Sequence, residues 1–405
     1  MKRRSHFGLV TAVLVTACAS HAPRTTPLPT SATLAARLSG AQRVLDSAIA
    51  AGAAPGAVLA VSIKGERFVY ASGKLGIGDE TRPSGSTLYD MASLTKVIVL
   101  TTIAMEAVEE GKLSLDAPVV SYLPDFARGT GDKSRVTVRD LLLHDSGLPA
   151  HRPLWKETFV RKGAILRTIT SDLVTSPGTE MVYSDLGAIT LTTILEKLYH
   201  RRIDQLFAER VTKPLGLERM RYLPPKGWRN EIAPTENDPW RGRILRGEVH
   251  DENAGRLGGV SGHAGLFASA EDLMRFGEWA LAGSLGRSIP NEPPPPSEFA
   301  TWTIKQDHPR GSSRGLGWDT PSGVSSAGTI MSARSFGHTG FTGTSIWVDP
   351  TREVVIVLLT NRVNPTRNTP KFGLIRAVVA DAVMRGLFPG EPPREPAPPA
   401  RRSSN

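Results

Sequence analysis

The chain has 405 residues, 40% of them hydrophobic and 22% charged, which excludes both a disordered polymer and a bundle of membrane spans. The formal net charge is +10, partly from both ends of the chain. No run of about five or six like charges marks the middle, so no nucleic-acid partner is expected. The single cysteine, Cys18, excludes an intramolecular disulfide.

Residues 1–17 read as a signal peptide. Lys2, Arg3 and Arg4 form a positive n-region, and Phe7 to Ala17 is an apolar run too short for a comfortable membrane-spanning helix. It ends in Val15-Thr16-Ala17-Cys18, which resembles the lipobox of bacterial lipoproteins. That resemblance implies lipidation of Cys18 and attachment to a membrane through the lipid. The implied location is the cell envelope, at the periplasmic or outer surface. Residues 18–34 then form the lipidated N-terminus and a flexible, Pro-rich tether.

Apolar residues at helical spacing (Leu34, Leu38, Val44, Leu45, Ile49) predict a helix over 32–51. Strand-like runs at 57–64 and 67–71, joined at Gly65-Glu66, predict a hairpin. A helical pattern runs from 94 to 110 and closes at Gly111. To about residue 275 the chain is mostly helical, with patterns at 138–143 and 189–199, and a Pro-rich loop follows at 284–297. A second hairpin is predicted from 344–348 and 353–360 around Asp349-Pro350, then a last helix over 372–385. Residues 389–405 are Pro-rich and polar and are expected to be disordered. Strands at both ends of 35–388 therefore flank a helical middle. The expectation is an α+β fold, an antiparallel sheet with terminal helices and a mostly helical subdomain.

Three short segments carry chemistry. In Ser93-Leu94-Thr95-Lys96 the two polar side chains stand one helical turn apart on one face. A lysine amine kept neutral by burial or a neighbouring cation can take the proton from the Ser93 hydroxyl, and a helix N-terminus favours the resulting oxyanion. In Tyr183-Ser184-Asp185 a phenol beside an ammonium can act as general base, with Asp185 pointing the same way if the segment is extended. In Gly337-His338-Thr339-Gly340-Phe341 the glycines would let an extended substrate approach a strand edge. The N–H groups of Ser93 and Phe341 would form an oxyanion hole, and His338 would be the electrostatic partner of Tyr183 and of a substrate carboxylate. His250, Asp251 and His263 lack the spacing of a metal motif, so no metal or organic cofactor is expected. His144 and His263 read as groups that hydrogen-bond loops near the site, and Asp251 and Asn253 as cleft residues.

In the order Ser-x-x-Lys, Tyr-x-Asp, His-Thr-Gly, these motifs resemble the active site of the class C β-lactamase and penicillin-binding-protein superfamily. Leu141-Leu142-Leu143-His144-Asp145-Ser146-Gly147-Leu148-Pro149, Val249-His250-Asp251-Glu252-Asn253-Ala254 and Gly262-His263-Ala264-Gly265-Leu266-Phe267 are also similar to that family. The resemblance covers roughly residues 35–388. It implies a β-lactamase/transpeptidase-like fold with Ser93, Lys96 and Tyr183 catalytic, and with Asp185, His338, Thr339, Gly340 and Phe341 binding substrate. Two departures stand out: Asp185 and His338 occupy places where members that destroy β-lactams usually have Asn and Lys. His has an unperturbed pKa of about 6.5, so a permanent cation is lost. The expected function is acyl-enzyme hydrolysis of an amide or ester by a monomer. The substrate is a small molecule or a peptidoglycan fragment, as for a D-Ala-D-Ala carboxypeptidase or a muropeptide amidase. A promiscuous esterase, a weak β-lactamase and a penicillin-binding sensor without turnover are the alternatives.

Overall fold

The strand expected over 57–64 is Gly56–Ile63 (β1), and every residue in it is buried. The computed structural model describes residues 33–394 and places β1 inside a five-stranded antiparallel sheet. Glu66–Gly73 (β2) pairs with β1 through the Lys64-Gly65 turn, where both residues have positive φ. The other strands come from far along the chain: Phe336–Thr339 (β3), Ser345–Asp349 (β4) and Val354–Thr360 (β5). The order is β2-β1-β5-β4-β3, with Ala57 opposite Thr360 and Ile63 opposite Val354. Both faces of β1 and β5 are covered. That is why they read as unbroken apolar runs instead of alternating ones.

One face of the sheet packs against the helices Ser39–Ala50 (α1) and Ile375–Leu387, through Leu38, Leu45, Val379, Val383 and Met384. The helix expected from residue 32 breaks at Leu38 into a single turn, Leu34–Arg37, followed by α1. Leu34 is buried in that core, so the tether expected through 34 ends before it. The last helix begins at Ile375, after a 3₁₀ turn at Pro370–Phe372.

The opposite face carries Val58, Ala60, Val355 and Val357 against Phe276 of the helix Ala270–Ser284. Any side chain at Gly277 would collide with Val355, so a glycine lets this helix sit close to the sheet. The helical part continues from there. The segment expected over 94–110 opens with a wide π-helical stretch, Lys96–Thr101, and continues as the α-helix Thr102–Glu109 (α2). The helix expected over 189–199 already starts at Asp185 (Asp185–Tyr199, α3), because the Ser184 hydroxyl accepts the Gly187 N–H at 3.1 Å.

Cys18 and the signal sequence lie outside the described residues, as does the chain from 395. The tail was expected to be loose from 389, but its first part is tied down. Arg394 donates to the Met331 carbonyl at 2.8 Å, and Glu391 pairs with Arg352. Guanidinium donors there take up loop carbonyls that would otherwise need water. Among the described residues no helix is long and apolar enough to cross a membrane.

Candidate active site

A two-residue strand, Tyr89–Asp90, pairs with Leu266–Ala268 and delivers the chain to Ser93. The buried Asp90 fixes this approach. One carboxylate oxygen accepts the Ala92 N–H at 2.8 Å and the other the His250 N–H at 2.7 Å, while the Asp90 carbonyl accepts the Thr342 hydroxyl at 2.7 Å. Burial pushes the Asp90 carboxyl up, and the His250 and Ala92 N–H donors oppose that rise. Ala92 is left-handed, at φ 46°, a conformation that costs a non-glycine residue roughly 1–3 kcal/mol and is seen where surroundings over-determine it.

Ser93 Oγ accepts a hydrogen bond from Lys96 Nζ at 3.1 Å. Lys96 is almost fully buried. It also donates to the His263 carbonyl at 3.2 Å and pairs with Asp185 Oδ1 at 2.7 Å. Burial alone would lower the basicity of this amine. The Asp185 carboxylate, with a further contribution from Tyr183, outweighs it and holds Lys96 above its ordinary range. The resting lysine is therefore an ammonium, and the neutral amine expected from burial is not what this environment makes. The Tyr183 ring lies 4.8 Å from Lys96 Nζ, and its hydroxyl is buried with no hydrogen-bond partner among the described residues. His144 packs on the same ring at 4.5 Å between centroids, the Arg314 guanidinium stands 5.1 Å from it, and His338 is 5.8 Å away. His144 Nδ1 accepts the Ser184 N–H at 3.1 Å and so anchors the loop that carries Tyr183 and Asp185.

The strand side is different. His338 is buried, and its Nδ1 donates to the Thr339 carbonyl at 2.8 Å, which leaves Nε2 as a bare acceptor without a partner among the described residues. Burial first, then the nearby Arg314 and Lys96 charges, hold His338 well below the usual imidazole range. The ring is neutral, which works against the cationic role expected for it. The glycines also have a different use from the one expected. A Cβ at Gly337 would strike Trp347 and the Ile346 carbonyl, and one at Gly340 would strike Thr344 and the Met91 carbonyl. They make room for the protein's own neighbours. The edge of β3 is already bridged to Asp319 at Gly337, and the Thr339 carbonyl is taken by His338, so little open edge remains for an added strand. Thr339 is half-buried beside them.

Beyond β3, two arginines hold the turn. Arg376 Nη2 donates to the Gly340 carbonyl at 2.6 Å, and Arg362 Nε to the Phe341 carbonyl at 2.8 Å. A trans peptide is planar, so fixing the Gly340 carbonyl also fixes the Phe341 N–H in the opposite direction. Among the described residues neither the Phe341 N–H nor the Ser93 N–H has an acceptor. Burial lowers Arg376 to about 9, helped by Arg362.

Ser93, Tyr183, Asp185 and Phe341 line one cleft of about 480 Å³, closed on other sides by Trp155 and Arg367. A larger cavity of about 730 Å³ between Leu223, Trp240 and Phe267 contains none of these groups, so the chemistry selects the smaller one. Asp251 reaches the cleft and pairs with His263 Nε2 at 2.9 Å. Burial opposes ionisation of Asp251, but His263 prevails and holds the carboxyl well below its usual range. Asn253 is used otherwise than expected: it braces the Arg152–Trp155 loop by bonds to the Arg152 carbonyl and the Trp155 N–H. His250 pairs with Glu236 at 2.9 Å and stacks on Phe341 at 5.7 Å, so it supports the Phe341 wall. Sequence reading gives no role to Arg314, Arg376 or Asp90, although Asp90 lies in the family-like segment just before Ser93. The first two lie in no motif, and only the fold brings their charges here.

The arrangement is that of a serine hydrolase, a nucleophile, an amine and a phenol meeting in one cleft. The comparisons agree. The β-lactamase family ("Beta-lactamase") matches residues 41–380, and the chain belongs to that family. A protein of Escherichia coli (strain K12) with the provisional name D-alanyl-D-alanine carboxypeptidase is 32% identical over 305 residues, covering 68% of this chain and 69% of its own. Among solved structures, a penicillin-binding-protein homologue from Caulobacter crescentus superposes with a TM-score of 0.69 at 19% identity, over 86% of this chain and 97% of its own. A β-lactamase/D-alanine carboxypeptidase from Pseudomonas syringae gives 0.68 at 18% identity, over 89% and 100%. These two share the β-lactamase/transpeptidase-like fold with this chain.

Proposed function

We propose that this protein is a cell-envelope D-alanyl-D-alanine carboxypeptidase that works through an acyl-Ser93 intermediate. The observation that carries the reading is the Ser93–Lys96–Asp185 chain, with contacts of 3.1 and 2.7 Å, set beside the unpartnered Tyr183 hydroxyl. Because Lys96 is held as an ammonium, it is not the acceptor for the Ser93 proton. Tyr183 oxygen is then the acceptor for the Ser93 proton. Ser93 Oγ bonds to the peptide carbonyl carbon, and the oxyanion is met by the Ser93 and Phe341 N–H groups. The C–N bond breaks as Tyr183 returns its proton to the leaving amine. A water then gives its proton to Tyr183, adds to the acyl carbon and displaces Ser93, which regains a proton. The net change is amide plus water to acid plus amine.

A substrate ending in a carboxylate needs a positive field, and neutral His338 does not supply one. Arg314 does. It does not line the cleft itself but stands as a buried guanidinium 5.1 Å from the Tyr183 ring, and among the described residues its Nε and Nη1 lack partners. The name of the Escherichia coli relative supports the same substrate class. Anchoring through a lipidated Cys18 would hold the enzyme beside peptidoglycan.

Release of D-alanine from a peptide ending in D-Ala-D-Ala tests the reading, alongside hydrolysis of p-nitrophenyl butyrate, nitrocefin and a muropeptide, with Ser93→Ala as control. Steady D-alanine release that Ser93→Ala abolishes is the expected result. Turnover of the ester alone would replace the peptidase reading with an esterase. Penicillin acylation without any turnover would indicate a sensor. Metabolic labelling with a clickable fatty acid should mark the wild type and not Cys18→Ala.

A further inference from the structure

We propose that Asp140, Asp145 and His308 form a binding site for a divalent transition-metal cation of the zinc type, beside the loop that carries Tyr183. Their ligand atoms lie within 4.8 Å of one another. The second and independent observation is Asp145 itself. Its side chain is 0% exposed, and among the described residues no donor side chain meets either carboxylate oxygen; the neighbour close enough to hydrogen-bond with it is a second acid, Asp140. A buried carboxylate without a partner costs several kcal/mol, and proteins meet that cost with a cation or a proton. No lysine or arginine pairs with Asp140 or Asp145 among the described residues; Asp140 accepts the Thr137 N–H at 2.8 Å with one oxygen and stands beside the Asp145 carboxylate.

The spacing fits a metal better than a hydrogen bond. His308 Nε2 stands 3.6 Å from Asp145 Oδ2, beyond hydrogen-bond length. Two ligands about 2.1 Å from a tetrahedral ion are separated by about 3.4 Å. Two carboxylates and one imidazole suit zinc, with a water in the fourth place. The competing state is a proton on Asp145, since burial and the neighbouring Asp140 push its carboxyl up to about 7. Ligands bind a metal in their deprotonated form, so zinc binding strengthens as pH rises.

The position gives the ion a consequence for the cleft. The Asp145 carbonyl accepts the Gly178 N–H at 2.8 Å, the His144 carbonyl accepts the Val182 N–H at 2.7 Å, and the His144 ring packs on Tyr183. A cation joining Asp145 to His308 would fasten the 178–184 loop to the segment that precedes Arg314.

Thermal unfolding of the full chain, stripped with EDTA and titrated with zinc chloride alone, tests the site. His308 is about half exposed, so His308→Ala should fold normally, and Asp145→Asn provides a second variant. The expected result is a rise of several degrees in Tm at micromolar zinc at pH 8, reversed by EDTA, smaller at pH 6 and lost in His308→Ala. Magnesium should not reproduce it, because it seldom takes imidazole. No shift with zinc, or an equal shift in His308→Ala, would overturn the proposal and leave a protonated Asp145 as the occupant. Zinc-edge anomalous diffraction should place the peak between the three side chains.

Discussion

The two walls of the cleft are built on opposite electrostatic plans. The helical wall concentrates charge: the buried Lys96 pairs at 2.7 Å with Asp185, which opens onto the cleft, one turn from Ser93. The strand wall presents a neutral imidazole and a main-chain N–H whose direction is set by Arg376 from behind. On the proposed mechanism, charge stands where a proton moves and dipoles where an oxyanion is met. A fixed N–H meets the oxyanion without reorganising at the moment of reaction. A buried ion pair, by contrast, has a high cost if either partner is removed.

Variants on each wall can break or sharpen this contrast. Ser93→Ala should have the largest effect, a fall in kcat of at least about 10³-fold with loss of labelling by a fluorophosphonate. Retained turnover in a clean preparation would end the assignment of the nucleophile.

Asp185→Asn should come next, lowering kcat about 10²-fold. With the carboxylate gone, burial dominates and the basicity of Lys96 falls, so the alkaline limb of the kcat/KM profile should move to lower pH. The stability effect has a defined sign. A lysine raised in the folded state contributes stability below its unfolded pKa of about 10.4, and that contribution disappears as pH rises through the folded value. Asp185→Asn should therefore be less stable than the wild type at pH 7, and the gap should narrow at high pH. An unchanged profile and an unchanged Tm would refute the charged helical wall.

Arg376→Ala should lower kcat about tenfold with little change in KM, because it frees the Gly340–Phe341 peptide without touching the substrate pocket. An equal loss in KM would instead mean that Arg376 acts on substrate binding.

The smallest effect concerns His338. Its imidazole is held well below its ordinary range, so it stays neutral through neutrality and must charge only on acidification. Stability from this group is full above the unfolded pKa of about 6.5 and declines as pH falls below it. Activity on carboxylate substrates should show no His338 inflection between pH 6 and 8, and His338→Gln should soften the loss of Tm between pH 7 and 5. A titration near 6.5 that vanishes in His338→Gln would show the strand wall to be charged after all.

Short apolar runs bounded by turn residues marked the strands that became β1, β4 and β5, and helical apolar spacing marked α1, because burial on both faces of a strand or one face of a helix is written in the local sequence. The motif residues Ser93, Lys96, Tyr183 and Asp185 could likewise be picked out one by one. Their roles were less legible. Ser-x-x-Lys shows an amine within a turn of a hydroxyl, but its protonation depends on a carboxylate brought from the start of a different helix. The glycines around His338 suggested room for substrate, whereas contacts with Trp347 and Thr344 account for them.

The sequence by itself determined the α+β class, the Ser-x-x-Lys segment and the order of the motifs, all of which rest on local spacing. Only the tertiary structure decided the charge state of Lys96, the neutrality of His338, the bracing of Phe341 by Arg376 and the meeting of Asp145 with His308. Coulombic and desolvation energies depend on distance in space and on exclusion of water. Neither is encoded in the separation of two residues along the chain.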